Sequence, residues 1–317
     1  MDLLLAPTVS LRQLQYIVAV AELGSFRRAA EACHVAQPSL SAQVAVAERA
    51  LGMQIFERTA RRVRVPAAAA PLVAQARRIL VAAGDLHELA RQQADPFRGT
   101  LRLGVIPTIC PYLLPEIAPA LSRDFPALTI HWSEDRTSRL VRQAKDGTID
   151  GAVLALQADL GGLVHATLGW DPFLLAAAPN HPLARGRKRL TPDVLDGARV
   201  LLLDDGHCFR DQALELCARA GATEAGFRAT SLATLVQMAS ASGGVTVLPS
   251  IALAVENRGG QLTIRRFVKP GPGRTLALAW RRGSALRAPL TRIAETIRTA
   301  LARGETMRPS PKRARVR

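Results

Sequence analysis

Apolar residues recur at helical spacing along the first part of the chain. Between residues 11 and 18, and again after residue 39, they return every three or four positions, which is the period of a helix with one buried face. Gly24 and Ser25 supply a helix stop and then an N-cap, and Pro38 suits a first helical turn. The predicted buried stripe of the third helix is Leu40, Val44, Ala47 and Leu51. Residues 1–66 therefore predict a small helical domain.

A longer helical pattern follows over residues 67–94. Its apolar positions alternate spacings of four and three, the a/d seam of a coiled coil. The seam is Leu72, Ala76, Ile79, Ala83, Leu86 and Ala90. Alanine-rich seams are weak and Gly84 interrupts this one, so packing of the helix on its own domain is the alternative. The pattern predicts a long helix between two domains whose apolar face requires a partner helix.

Short β-rich runs alternate with helical stretches beyond Asp95-Pro96. The predicted strands are Thr100–Ile106, Leu128–Ser133 and Asp150–Leu156, and the helices between them are Tyr112–Arg123 and Thr137–Asp146. A second such set runs through Arg199–Leu203, Ser231–Ala241, Val245–Leu248 and Leu276–Trp280 to a final helix over Pro289–Arg303. This order predicts parallel strands with helical crossovers, an α/β domain over residues 95–307. Residues 308–317 are basic and contain proline, which predicts a disordered tail.

Composition and charge narrow the class of protein. The chain has 317 residues, of which 48% are hydrophobic and 21% charged, so it is about two globular domains and neither disordered nor fibrous. Its net charge of +16 indicates a polyanionic partner, with nucleic acid first and a membrane surface second. No apolar run is long enough for a transmembrane helix, and the N-terminus lacks the pattern of a signal peptide. We therefore expect a cytoplasmic protein, whose four cysteines form no disulfide framework.

The segment from Ser25 to Gln43 predicts two short helices joined by a tight turn, a helix-turn-helix. Polar side chains of the second helix would read base edges or phosphates in a groove of double-stranded DNA. Four arginines then fall within seven residues, where a β-wing would lay them along phosphates. An arginine run alone is more often a solvated face, but here it adjoins the helix-turn-helix. The predicted DNA-binding residues are Gln37, Pro38, Ser39, Ser41, Gln43, Arg58, Arg61, Arg62 and Arg64.

A second group of reactive residues surrounds Cys208. Asp204 or Asp205 can cap a helix that places Cys208 in its first turn, where the helix dipole favours the thiolate. His207 and Arg210 add hydrogen-bonding or positive neighbours that make a thiol more reactive. The alternative is a buried structural cysteine.

Cys217 follows Cys208 by nine positions. On one helix their Cα atoms would be about 13.5 Å apart, whereas a disulfide needs Cα atoms within about 7 Å. A disulfide between them therefore requires the helix to unwind, and such a change would suit a redox-sensing regulator. The spacing is not that of a zinc site, and we predict no metal and no cofactor.

Several segments together resemble the LysR-type transcriptional regulators. The matching residues are Ser25-Phe26, Ala29-Ala30, His34–Ser41, Glu48, Leu51-Gly52 and Phe56-Glu57-Arg58. The resemblance implies a winged helix-turn-helix, a dimerising linker helix and an effector module of two α/β subdomains like periplasmic binding proteins. The sequence departs from the family at Ala36, where a hydroxyl residue is common, and at Val65–Ala68, where the linker helix begins.

The rest of the chain resembles the hydrogen-peroxide sensors of the same family. The matching segments are Gly104–Thr108, Pro111–Pro115, Gly206–Gln212, Cys217, Phe227–Leu232 and Leu248-Pro249. The resemblance implies that peroxide oxidises Cys208, which then forms a disulfide with Cys217. It assigns the peroxide pocket to Thr108, Thr137, His207, Arg210 and Asp211. The role of Cys110 stays open, and a small core thiol is favoured over a second disulfide partner.

The resemblance thus implies an activator of oxidative-stress genes rather than an enzyme. Its partners would be operator DNA, hydrogen peroxide and RNA polymerase, and its homodimers would assemble into a homotetramer. One alternative is a LysR-type regulator that binds a metabolite between the effector subdomains. Another is a thiol peroxidase fused to a DNA-binding head, for which the sequence shows no peroxidase motif.

Overall fold

The chain forms two compact units, Met1–Gln93 and Ala94–Arg317. The computed structural model describes residues 8–58, 63–92, 95, 97–157 and 159–303. The first unit is helical with a short hairpin, and the second is α/β. The predicted fold class is therefore confirmed.

The first unit begins with three helices whose ends follow the sequence signals. Ser10 and Gln13 form a capping box on the first helix, and Gly24 ends that helix with φ of 60°. Ser25 caps the second helix by accepting a hydrogen bond from the backbone N–H of Arg28. The elements are α1 (Leu11–Leu23), α2 (Phe26–Ala32), α3 (Gln37–Leu51), β1 (Glu57–Arg58), β2 (Val63–Arg64) and α4 (Ala70–Gln92).

The core of this unit lies between α1, α2 and α3. The rings of Phe26 and Phe56 meet edge to face at 5.7 Å. The predicted stripe of α3 is confirmed at Leu40, Val44 and Ala47, which are buried. The prediction for Leu51 is wrong: this side chain is 39% exposed, because it is the last residue of α3 and the chain turns at Gly52.

Helix α4 divides its apolar face between α1 and solvent. Val73 and Ala76 are buried, and Ala76 packs with Leu14 and Val18 of α1. Further along the predicted seam, Ile79 is 39% exposed and Leu86 is 71% exposed. The start of α4 thus packs on its own unit, while Ile79 and Leu86 are exposed in the described chain. Gly84 does not interrupt the helix.

The second unit alternates strands and helices. Its described elements are β3 (Gly99–Val105), α5 (Cys110–Asp124), β4 (Leu128–Glu134), α6 (Thr137–Lys145), β5 (Gly151–Ala155), β6 (Val164–Ala177), β7 (Arg199–Leu203), α7 (Cys208–Arg219), β8 (Thr223–Ala229), α8 (Leu232–Ala241), β9 (Val245–Pro249), α9 (Leu253–Glu256), β10 (Thr263–Arg266), β11 (Gly273–Trp280) and α10 (Arg287–Arg303).

Two parallel three-stranded sets make the two halves of this unit. One set is β4-β3-β5 and the other is β9-β7-β8. Strands β6 and β11 join them: β11 pairs antiparallel with β5 and β6, and β6 also pairs antiparallel with β9. The chain crosses from the first half to the second along β6 and returns at β11. The prediction of parallel strands is confirmed for these two sets and is wrong for β11, which pairs antiparallel on both sides. The sequence analysis did not predict β6, β8 and β10.

Both faces of the central strands are covered. Every residue of β5 and β9 is buried, as expected for parallel strands with helices on both sides. No helix in the described chain has the length and apolarity that a membrane span requires. The predicted tail at 308–317 lies outside the described residues.

Candidate functional site

Three parallel strands end at a small pocket between the two halves of the second unit. The pocket follows the carboxyl ends of β3, β4 and β7, the edge at which α/β sheets commonly hold ligands. It contains about 170 Å³ of empty space, some of it open to solvent. Its lining residues are Ile106, Pro107, Thr108, Arg136, Thr137, Gly206, His207 and Cys208. Four of the predicted site residues, Thr108, Thr137, His207 and Cys208, thus line one pocket.

Cys208 is the first residue of α7, and its side chain is half-buried. Backbone N–H groups without helical partners surround this position, so a negative charge is favoured there. The prediction that Asp204 or Asp205 caps α7 is wrong. The N-cap is His207, whose side chain makes no capping bond, and Asp205 instead accepts hydrogen bonds from arginines.

Gly206 permits the turn that brings Cys208 into the pocket. Its φ is 89°, in the left-handed region that favours glycine. A Cβ atom at this position would lie 2.6 Å from Nη1 of Arg136. The glycine therefore leaves room for the Arg136 side chain beside the thiol, a neighbour that the sequence analysis missed.

Arg274 orients the Thr108 hydroxyl from behind the pocket. Its Nη1 donates to Oγ1 of Thr108 at 2.7 Å, and its Nη2 donates to the Thr108 carbonyl at 2.9 Å. Arg274 is fully buried, pairs with Asp171 at 3.0 Å and lies 5.4 Å from the ring of Phe209. Because the Thr108 oxygen accepts from Arg274, its own proton is free to be donated to another acceptor.

Sequence reasoning missed Arg274 and Asp171. Both are charged residues next to an apolar stretch, which was the signal available in the sequence. Arg274 lies at the start of β11, and Asp171 lies within β6. A charged residue in a buried strand needs a partner. The identity of that partner could not be read from the sequence, since the two residues lie 103 positions apart.

Thr137 and His207 add two further polar groups to the pocket. Thr137 is the first residue of α6, and its buried hydroxyl makes no hydrogen bond within the described chain. His207 is buried, and this burial together with the charge of Arg136 lowers its pKa. The imidazole is therefore neutral at neutral pH and can both donate and accept a hydrogen bond.

Cys217 lies in the last turn of α7, away from the pocket. Both thiols are free, and nine helical rises separate their Cα atoms by about 13.5 Å. Burial, followed by the charge of Glu224, raises the pKa of Cys217 to about 11. Cys217 is therefore a protonated thiol at neutral pH.

Arg210 and Asp211 do not line the pocket. Arg210 donates to Glu224 at 2.7 and 2.9 Å, to Asp205 at 2.9 Å and to the Leu203 carbonyl at 2.9 Å. Arg228 joins the same group, with contacts of 3.0 Å to both Asp205 and Glu224. These four charged residues, which we call the α7 anchor, tie the start of α7 to β7 and β8. Asp211 is exposed on α7.

Cys110 is a half-buried thiol at the first residue of α5. Burial, followed by a hydrogen bond to Glu134, raises its pKa to about 12. A thiol held in its protonated form is a poor nucleophile, which favours the interpretation of Cys110 as a packing residue.

The helix-turn-helix of the first unit has the predicted arrangement. Helices α2 and α3 flank a turn in which His34 has φ of 55°. Gln37, Pro38, Ser39 and Gln43 are exposed and Ser41 is half-buried. Gln43 also accepts a hydrogen bond from Gln13 at 3.0 Å. Ala36, the N-cap of α3, supplies no capping side chain, so N–H groups at this helix start are left for an anion.

The predicted wing corresponds to an antiparallel hairpin of β1 and β2. Glu57 pairs with Arg64, and Arg58 pairs with Val63. Arg64 is exposed. Arg61 and Arg62 lie outside the described residues, as does the side chain of Arg58. Among the described residues, no group of three or more His, Cys, Asp or Glu side chains is placed to hold a metal ion.

Comparisons with protein families match both units. Residues 11–70 match the model of bacterial regulatory helix-turn-helix proteins of the lysR family, and residues 94–302 match the LysR substrate binding domain. Together these two matches span most of the chain.

Individual relatives are similar over nearly their whole length. The chain is 43% identical to the hydrogen peroxide-inducible genes activator of Pectobacterium carotovorum subsp. carotovorum, over 92% of this chain and 96% of that protein. A full-length OxyR variant from Pseudomonas aeruginosa has a TM-score of 0.79 and 33% identity, covering 98% of this chain and 100% of that one. A mutant of Corynebacterium glutamicum OxyR with bound hydrogen peroxide has a TM-score of 0.64 and 33% identity, covering 93% of each.

These matches, together with the helix-turn-helix and the two-halved second unit, agree with the resemblance seen in the sequence. The matched families consist of transcription regulators and not of enzymes. The chain therefore belongs to the LysR family of bacterial transcriptional regulators and closely resembles its OxyR members.

Proposed function

We propose that this regulator is an activator that senses hydrogen peroxide through Cys208 and Cys217. The observation that carries the proposal is the position of Cys208, at a helix start and in one pocket with the hydroxyls of Thr108 and Thr137. The relatives named for peroxide support the same ligand.

Oxidation begins with attack of the Cys208 thiolate on one peroxide oxygen. The O–O bond breaks, Cys208 becomes a sulfenic acid, and the departing hydroxide takes up a proton and leaves as water. Thr108 accepts from Arg274 and so donates its own proton to the peroxide or to the sulfur. Thr137 offers a hydroxyl that has no other partner in the described chain. The two hydroxyls thus orient the peroxide for attack.

The second step joins the two cysteines. Unwinding of α7 removes the burial that raises the pKa of Cys217, and the Cys217 thiolate attacks the sulfenic sulfur. An S–S bond forms, and the departing hydroxide takes up the proton that the thiol released and leaves as water. Because the Cα atoms must come from about 13.5 Å to within about 7 Å, α7 has to unwind and the α7 anchor has to open. Two equivalents of a cellular thiol then reduce the disulfide and reset the sensor.

The change in α7 would alter how effector modules pair. We propose that α3 and the β1–β2 hairpin contact operator DNA and that α4 forms a homodimer, two of which assemble into a tetramer. New pairing of the effector modules would change the spacing of the DNA-binding heads on the operator. Contact with RNA polymerase would follow from that arrangement.

Thiol mapping by mass spectrometry tests the chemistry. After peroxide treatment, we expect a Cys208–Cys217 disulfide in the wild type. Cys217→Ser should stop at a sulfenic acid that dimedone traps, and Cys208→Ser should give neither product. Cys33→Ala, a change within the helical unit, serves as the control and should keep the disulfide.

A transcriptional reporter separates the two candidate functions. Peroxide should induce the reporter with the wild type and with Cys33→Ala, but not with Cys208→Ser. Induction that persists in Cys208→Ser would contradict thiol sensing and favour a bound metabolite as the signal.

A further inference from the structure

The positive charge of the chain lies mostly outside the helix-turn-helix domain. Residues 1–66 contribute only +3 of the net +16. The described part of the second unit contains a dense cationic run in the loop between β6 and β7, where Arg185, Arg187, Lys188 and Arg189 fall within five positions. All four side chains are exposed. We call this run the cationic loop.

The backbone of the cationic loop is fixed from below by Arg265 of β10. Arg265 is only 8% exposed, and its guanidinium donates to the carbonyls of Leu183, Arg185 and Lys188. Gly186 makes the turn above this guanidinium with φ of 84°. A buried charge committed to three loop carbonyls holds the loop in one shape. The four cationic side chains therefore project from an ordered support.

Two more cations border the loop. Leu190 forms a bridge with Phe267, and its N–H donates to the Arg266 carbonyl at 2.9 Å. Arg266 and Lys269 are both exposed. None of the ion pairs in the described part of the chain includes any of these six cations. The surface is thus a patch of six cations without a described acidic partner.

We propose that this patch is a second DNA-contacting surface, which binds the phosphate backbone of duplex DNA without reading its sequence. Four arginines suit phosphate because each guanidinium presents a planar fork of donors. Residues 185 to 189 would span at most about 14 Å if fully extended, and the turn at Gly186 shortens this span. One DNA strand has a phosphate about every 3.4 Å along the axis, and neighbouring phosphates are farther apart than this along the strand, so the loop can meet about two or three phosphates. The proposal needs the DNA-binding family but not the peroxide chemistry, so the two can fail separately.

The test compares the salt dependence of DNA binding between full-length variants. The probe is a fluorescein-labelled 60-bp duplex of random sequence. Binding of the reduced protein is followed by fluorescence anisotropy across a series of salt concentrations. Each phosphate contact contributes about 0.9 to the slope of log K against log salt. Replacing the four loop cations, R185Q/R187Q/K188Q/R189Q, should make the slope shallower by about 2–3 for each bound chain.

A control variant removes the same charge elsewhere in the second unit. This control, R123Q/R139Q/R292Q/R298Q, replaces four exposed arginines, three of which form ion pairs with neighbouring acids. It should change the slope of log K against log salt by less than about 1. R185K/R187K/R189K keeps the charge and should retain most of the slope. Thermal unfolding checks that each variant is folded.

Two results would overturn the proposal. One is a slope of the loop variant equal to that of the wild type, which would leave the loop as a solvated surface or a contact for an acidic protein. The other is an equal change in the loop variant and the control, which would mean that net charge alone sets the affinity.

Discussion

Thr108 and Thr137 bring hydroxyls to the same pocket but differ in their partners. Thr108 accepts a hydrogen bond from Arg274, whereas the buried Thr137 hydroxyl has no partner in the described chain. Burying an unsatisfied polar group costs about 1–3 kcal/mol. A hydroxyl kept at that cost is explained by a ligand that completes its hydrogen bonding, and peroxide has the size and the polar atoms to do so.

The variant Thr137→Val tests this role, because valine has nearly the shape of threonine without the hydroxyl. We expect the reaction of Cys208 with peroxide to slow by about 10- to 100-fold, the loss of one hydrogen bond to a charged centre. The free energy of unfolding should stay equal or rise by up to about 1 kcal/mol. Stopped-flow kinetics and urea unfolding measure the two effects, and Thr137→Ser should restore the rate. If Thr137→Val lowers both the free energy of unfolding and the rate of the reaction with peroxide, the Thr137 hydroxyl has a structural role.

The raised pKa of the Cys217 thiol predicts that the free energy of unfolding depends on pH. Burial raises its pKa from the ordinary 9.0 to about 11, so the fold favours the protonated thiol. This contribution is fully present below pH 9 and is lost as the pH rises through 11. The stability advantage of the wild type over Cys217→Ala should therefore shrink by about 2 kcal/mol between pH 8 and pH 10.5 in urea unfolding. An advantage that stays constant over this range would refute a neutral buried thiol.

Individual residues of the site differed in how far the sequence revealed them. Cys208, Thr108, Thr137 and His207 fall in recognisable local motifs, and the structure brings them together. Arg274 reaches Thr108 across 166 positions of sequence. No local spacing carries that contact, because it depends on the sheet order, in which β5 alone separates β11 from β3.

At the scale of elements, α7 is held in place by charge as well as by packing. Arg210 is 5% exposed in its side chain, and Glu224 is 21% exposed. Removing one partner of a pair this far from water leaves the other charge buried and unpaired, which costs more than breaking a surface pair worth about 0–1 kcal/mol. The α7 anchor therefore stabilises the helical, reduced form against the unwinding that a disulfide requires.

Glu224→Gln should weaken the anchor and speed disulfide closure. We expect closure after sulfenic acid formation to be about tenfold faster, corresponding to about 1.4 kcal/mol less stability of the helical form. Formation of the sulfenic acid, measured in a Cys217→Ser background, should change less than twofold. Quenched-flow alkylation with mass spectrometry follows both steps.

Glu215→Gln, a change within α7 itself, is the matched control. It removes an exposed pair with Arg219, which contributes little to stability, and closure should keep the wild-type rate. Equal rates in all three proteins would show that the anchor does not restrain α7.

The elements hardest to predict from the sequence are those whose local residue patterns conflict, namely the start of α7 and strand β6. Helix α7 was expected to begin from an aspartate cap, but both aspartates precede a glycine turn and Asp205 is engaged by Arg210 and Arg228. Strand β6 contains Gly169 and Pro172 and shows no simple alternation. It is stabilised by pairing with β11, β9 and β10, and such long-range pairing overrides local propensity.

At the scale of the whole molecule, the exposed seam of α4 predicts self-association. Ile79 and Leu86 lie on one side of the helix and are exposed in the single chain, and both copies would bury them in a dimer. Leu86→Glu should weaken association by at least about 100-fold, because each copy would then bury an unpaired carboxylate. Sedimentation velocity at micromolar concentration measures the change.

Ala74→Glu places the same charge on the opposite side of α4. Ala74 is exposed and off the seam, so this variant should associate like the wild type. A wild-type association constant in Leu86→Glu would exclude α4 as the interface.

The crossing of β6 and β11 also sets the order in which the effector module can be completed during synthesis. Pro172 of β6 faces Gly273 of β11, so residues 173–272 form an insertion whose two ends are neighbours. The inserted half, which carries α7, leaves the ribosome before the other half, here called the host half, has been fully synthesised. The host half still lacks β11, which pairs with β5, and α10, which packs on α5. Helix α7 can thus fold with the inserted half before β11 and α10 of the host half have been synthesised.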